Sequence, residues 1–151
     1  MVELMEEEVA QELDERWRQR FETYKRAFNR LTEATEIVRN EPDHFLLRAG
    51  LIQTFEYTFE LAWNTLKDYM ESEGIHTPTP KYTLRKAFQC GYLQDGKLWL
   101  KALNDRNMMS HSYYEEIANT VVINILDKYY SLFKQLTEWL DAEKENSATP
   151  G

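Results

Sequence analysis

Apolar side chains at Trp17, Phe21, Tyr24, Phe28, Leu31 and Val38 recur at spacings of three, four and seven, which puts them on one face of a helix with 3.6 residues per turn. That helix is predicted to run to about Asn40. There Glu41-Pro42-Asp43 breaks it, because proline has no N–H to donate and keeps the residue before it out of helical angles. A second helix is predicted from about His44 to Glu73. Its apolar face holds Ile52, Phe55, Phe59, Ala62, Leu66 and Tyr69 or Met70, and Gly74 serves as the stop. A polar stripe of Gln53, Glu56, Glu60 and Lys67 runs beside it. This stripe suits a solvated face or hydrogen bonding between helices, and Glu56 and Glu60 are also candidates to line a shared cleft.

Thr77-Pro78-Thr79-Pro80 reads as a rigid connector. Thr79 and Pro80 supply the N-cap and first turn of a short helix that reaches about Cys90, before Gly91. Another short helix is predicted from Asp95 to about Met109, with Leu98, Trp99, Leu100, Ala102 and Leu103 as its apolar content. Ser112-Tyr113-Tyr114-Glu115 fits a capping box, so Tyr113 is expected to open the last helix. Ile117, Val121, Ile125, Tyr129, Leu132, Leu136 and Trp139 or Leu140 continue that helix's buried face. No repeat is visible, and nothing alternates with period two for long enough to make a sheet. The pattern predicts an all-α, antiparallel up-down bundle of three long helices and two short ones. Residues 1–15 read as an acidic extension, 16–141 as the bundle and 142–151 as a flexible tail.

Composition narrows the possible classes. A chain of 151 residues supports one domain with its own core. The lone Cys90 cannot form an internal disulfide, reads as structural and points to a reducing compartment. Glu3, Glu6, Glu7 and Glu8 are the opposite of a signal peptide's basic start, and no uncharged run approaches membrane-spanning length. A cytoplasmic protein without membrane contact is expected. The net charge of −8 argues against a sequence-independent nucleic-acid coat, so any such contact must be local. His44 and His76 lie in connectors, and no His, Cys or carboxylate spacing resembles a metal site. A phosphate-binding glycine loop and a nucleophile elbow are also missing, so neither metal nor cofactor is expected.

The densest set of reactive side chains is Asp105-Arg106-Asn107-Met108-Met109-Ser110-His111-Ser112-Tyr113. On a continuous helix Asn107 and His111 share a face, whereas Arg106 and His111 diverge by roughly 140°. A new helix starting at Tyr113 requires a turn near Ser110 to Ser112, which would swing His111 toward Arg106 or toward a second copy of the chain. Arginine offers a fixed-charge fork for phosphate oxygens, and histidine exchanges a proton near neutral pH. Free amides at the start of the last helix favour an anion beside them. The set therefore suits metal-free RNA cleavage, with a base activating the ribose 2′-hydroxyl and a cation stabilising the phosphorus centre. The same residues also fit ordinary dipole complementation by arginine and a structural histidine before a cap.

Arg106-Asn107-Met108-Met109-Ser110-His111-Ser112-Tyr113 resembles the Arg-x4-His-x-Tyr motif of HEPN proteins in minimal-nucleotidyltransferase/HEPN toxin-antitoxin modules. The segment from Gln53 to Trp63, read Gln-Thr-Phe-Glu-Tyr-Thr-Phe-Glu-Leu-Ala-Trp, resembles the family's second-helix signature, and Trp99-Leu100 precedes the motif as it does there. The likeness covers about residues 16 to 140. It implies a helical homodimer whose motif residues from both chains line one cleft and cleave RNA without metal, as the toxin of a type VII-like module. His111 would be the proton-transfer residue, Arg106 the phosphate stabiliser and Asn107 an orienting group, with Ser110 a further cleft residue. It also implies a cognate minimal nucleotidyltransferase antitoxin that silences the toxin by moving AMP from ATP onto Tyr113. Some relatives are instead regarded as substrate-binding proteins, which would make the chain a non-catalytic subunit of a two-chain nucleotidyltransferase. A plainer alternative is an interaction bundle whose exposed aromatics and methionines only form a dimer surface.

Overall fold

The computed structural model describes the backbone of residues 1–111 and 114–148 and the side chains through Asn146. Among these residues there is no strand. Helix α1 spans Val2–Asn40, α2 Phe45–Ser72, α3 Pro80–Gln89, α4 Gly96–His111, α5 Glu115–Asn124 and α6 Tyr130–Ala148. A π-helical turn, Ile125–Tyr129, joins α5 to α6 without leaving helical angles, so residues 115–148 form one rod. The three long and two short helices match the expectation from the sequence.

The first helix begins fifteen residues earlier than its apolar stripe, at Val2 rather than Trp17. No Gly or Pro interrupts residues 1–40, and glutamates early in the helix favour its positive end, so the acidic extension is helical and overhangs the bundle. Pro42 stops α1, and the Arg48 guanidinium braces the corner through the Pro42 carbonyl at 2.8 Å. His44 caps α2, its Nδ1 accepting the Leu47 amide. Thr79 caps α3 by accepting the Tyr82 amide at 3.2 Å, with Pro80 in the first turn. Both short stops use glycine where φ is +81°, at Gly74 after α2 and Gly91 after α3. In each, the following amide closes back onto the helix, from Ile75 to the Met70 carbonyl and from Tyr92 to the Ala87 carbonyl. Cys90, expected to be structural, is exposed beside Gly91 and packs into no core.

Cross-links fix the topology. Lys144 meets Glu22 midway along α1 and Arg39 meets the Leu126 carbonyl near its end, so α1 runs against the α5–α6 rod. Arg48 reaches Asn119, and Tyr69 reaches Glu143, so α2 runs with the rod. α4 runs against it, from Trp99 over Phe133 to Asp105 beside Tyr129. The result is an up-down-up-down bundle with α3 as an added short element. Its centre is aromatic: Phe55, Phe59, Trp99, Tyr129 and Phe133, drawn from α2, α4 and the rod, are all essentially inaccessible to solvent.

The π turn accounts for a feature of the pattern. Ile117, Val121, Ile125 and Tyr129 recur in three successive steps of four, and each such step advances about 40° around an α-helix. The accumulated rotation of roughly 120° would carry Tyr129 off the buried face. A wider turn at Ile125–Tyr129 takes back part of that rotation, and Ile125 and Tyr129 both stay buried.

Candidate functional site

α4 carries Asp105, Arg106, Asn107, Ser110 and His111 on one unbroken helix. Arg106 is turned toward α2, where its Nη2 meets Glu60 at 2.5 Å, and its Nη1 donates to the Asn107 side-chain carbonyl at 3.1 Å. Its Nε is buried and has no acceptor among the described residues. Leaving such a donor unpaired costs about 1–3 kcal/mol, so the guanidinium is held by its neighbours rather than by an optimum of its own. Glu60 is itself fixed: the Trp63 indole N–H donates to it at 3.1 Å and the Asn64 amide at 3.4 Å. One turn earlier on α2, burial pushes the Glu56 carboxyl up, against the pull of the Arg106 charge. Glu60 thus touches Arg106 directly and Glu56 senses it through charge. Ser110 instead donates to the Arg106 carbonyl at 3.0 Å, a local bond within α4.

His111 is the last residue of α4 and is exposed, as is Asn107 one turn before it. Of the reversal expected near Ser110 to Ser112, no turn is made at Ser110 or His111, because α4 continues through His111, and Ser112 lies outside the described residues. No helix breaker lies between Asp105 and His111, and the Ser110 hydroxyl is already satisfied by the helix. Within one chain, Arg106 therefore faces α2 while His111 faces solvent, roughly 140° away. Asn107 and His111 do share a face. The last helix begins two residues later than Tyr113, at Glu115, with Tyr114 as an N-cap that makes no side-chain bond. Glu115 and Glu116 complement the dipole of its first turn. Tyr113, and the capping bond expected of Ser112, lie outside the described residues.

Asp105 was not singled out by its spacing, yet it is the buried anchor of the segment. Its carboxylate accepts the Tyr129 hydroxyl and, at 3.4 Å, the Asn124 amide. Both partners bracket the π turn, whose wide winding brings Tyr129 onto α4. α4 is therefore clamped on both sides, by Asp105 to the rod and by Arg106 to α2, with the Asn107 and His111 face left open. The one signal in the sequence was the run of four-residue steps ending at Tyr129. Among the described residues, no group of three His, Cys, Asp or Glu could hold a metal ion, and no helix is long and apolar enough to cross a membrane.

The chain matches the family described as "nucleotidyltransferase substrate binding protein like" over residues 19–142. It is 34% identical over 86 residues to the "probable ribonuclease HepT" of Haemophilus influenzae, a match spanning 54% of this chain and 59% of that protein's length. Among solved structures, a Thermus thermophilus protein is 33% identical with a TM-score of 0.67, covering 75% of this chain and 94% of its own. HI0074 of Haemophilus influenzae, whose structure was reported to reveal the fold of a substrate binding domain of a nucleotidyltransferase, is 28% identical with a TM-score of 0.68. That match covers 80% of this chain and 98% of HI0074. A family match over most of the chain, with these likenesses, decides its membership: the chain belongs to the HEPN-type nucleotidyltransferase substrate binding protein like family.

Proposed function

We propose that the chain is a metal-independent endoribonuclease that works as a homodimer, with His111 of one copy acting beside Arg106 of the other. The observation that carries this reading is the division of labour on α4. Arg106 is fixed in place by a carboxylate that is itself fixed, whereas His111 and Asn107 stand exposed where a second copy would complete the site. In that site His111 takes the proton of a ribose 2′-hydroxyl as the oxygen attacks the adjacent phosphorus, and the 5′-oxygen leaves. Arg106 stabilises the charge on the phosphoryl oxygens, and Asn107 orients the substrate. The likeness to a probable ribonuclease supports the reaction class. The family supports a nucleotidyltransferase partner, and the proposal extends to Tyr113 as the acceptor of AMP from that partner, an antitoxin that silences the toxin. The setting is cytoplasmic. Purified protein should cleave RNA in the presence of a chelator and His111→Ala should not, and equal cleavage by that variant rejects the assignment. Incubation with the partner and ATP should add AMP to the intact mass, and Tyr113→Phe should remove that gain.

A second reading is supported by the occupancy of Arg106 by Glu60, which leaves its guanidinium neutralised within one chain. On that reading the chain is a non-catalytic substrate-binding subunit of a two-chain nucleotidyltransferase. It would bind the partner tightly and cleave no RNA, with or without Glu60→Gln. Cleavage by the wild-type protein rules it out.

A further inference from the structure

Cations of α3 and the first half of α4 gather around one groove. Arg85 and Phe88 of α3 and Lys97 and Leu100 of α4 line one groove of about 440 Å³. Phe88 is about half exposed, and it packs so close over Gly96 that a side-chain carbon there would meet its ring at 2.8 Å. Helical spacing puts Lys81 on the Arg85 and Phe88 side of α3, one turn earlier, and Lys101 one turn beyond Lys97. None of Lys81, Arg85, Lys97 and Lys101 forms an ion pair with a described residue, although the chain has 26 acidic residues against 18 basic ones. Asp95 also borders the groove, but its carboxylate is engaged with the Leu98 amide at 3.1 Å.

The outer face of α4 connects this groove to the site already described. Lys97, Lys101, Asn104, Met108 and His111 all fall within roughly 80° of one another around the helix, and all are exposed. From Lys97 to His111 is 14 residues, or about 21 Å along the axis. Two lysines beside a half-exposed ring, on a face of α4 that continues through Asn104 and Met108 to an exposed imidazole, have the form of a single-stranded nucleic-acid track, with phosphates on the cations and a base on the aromatic face.

We propose that single-stranded RNA enters over the α3–α4 groove, stacks a base on Phe88 and runs along the outer face of α4 to His111. This rests on the ribonuclease reading and adds where the substrate lies. It also reconciles RNA binding with a charge of −8, because the contact is confined to one strip.

The test measures binding of a fluorescently labelled, unstructured RNA oligonucleotide by anisotropy, in chelator, across a range of salt concentrations. Lys97→Glu/Lys101→Glu should raise Kd at least about tenfold and reduce the log–log salt slope by about 1.4, since each single-strand phosphate contact contributes roughly 0.7. Phe88→Ala should weaken binding about fivefold or more. Arg26→Glu/Arg30→Glu, on α1 away from the groove, should change Kd by less than about twofold. If the reversed pair folds poorly, Lys97→Gln/Lys101→Gln should lower the slope in the same direction. RNA that binds through these residues but is not cleaved leaves the track standing and removes the ribonuclease reading. Cleavage and affinity both unaffected by the reversal overturn the track and leave that reading intact. An unchanged RNA affinity with loss of self-association also overturns it, and assigns the groove to the acidic α1 overhang of a second copy.

Discussion

Tyr129 donates its phenolic hydrogen to a carboxylate buried at the α4–rod interface, and burial followed by that carboxylate pushes the phenol's pKa far up. Removing the donor leaves Asp105 with one long bond to Asn124, so Tyr129→Phe should destabilise the fold by about 1–3 kcal/mol in urea unfolding. His111 is exposed and ends its helix, so His111→Ala should shift stability by no more than about 0.5 kcal/mol, measured the same way. Loss of cleavage in that variant would then report chemistry rather than folding. Glu56 gives a pH signature. Burial favours its neutral form, so the folded chain holds the proton more tightly than the unfolded chain does. Its contribution is present below the unfolded carboxylate value and is lost as pH rises through the folded one. Glu56→Gln should therefore raise Tm relative to wild type at about pH 7 but not at about pH 4.

Local chemistry decides the short helices. Thr79 satisfies the Tyr82 amide and Pro80 pre-sets the first turn of α3, so Thr79→Ala should cost about 1 kcal/mol, seen as a lower urea midpoint with an unchanged slope. These start and stop signals were legible because each acts within four residues. The opposite holds at the end of α4. A capping box read from Ser112 to Glu115 predicted a turn near Ser110 to Ser112 and a last helix opening at Tyr113, yet α4 runs on through His111 and α5 starts at Glu115. Nothing in the local sequence forces the helix to stop earlier, and the Ser110 back-bond lets it continue. The π turn was hidden for a related reason: its marker is a drift accumulated over twelve residues, which any single window reads as ordinary helix.

At the scale of the molecule, two regions carry different weight. The aromatic centre formed by Phe55, Phe59, Trp99, Tyr129 and Phe133 joins α2, α4 and the rod, so Trp99→Ala should cost about 3–5 kcal/mol by chemical denaturation. Residues 2–10 of α1 are exposed throughout, so a chain beginning at residue 11 should keep its Tm within a few degrees. Periodicity together with the local breakers and caps determined the helix count, and periodicity set the faces of α1 and α2 and the core membership of Phe55, Phe59 and Trp99, because burial repeats with the turn of the helix. The density of reactive side chains from Asp105 to Tyr113, with the resemblance of that motif, marked Arg106, Asn107 and His111 as candidates. The tertiary structure alone decided that Arg106 leans on Glu60, that Asp105 is tied to Tyr129, and that His111 is left facing outward. Those outcomes depend on contacts between residues 24 and 46 positions apart, and no local spacing encodes the distance between two helices that meet only once the bundle has closed.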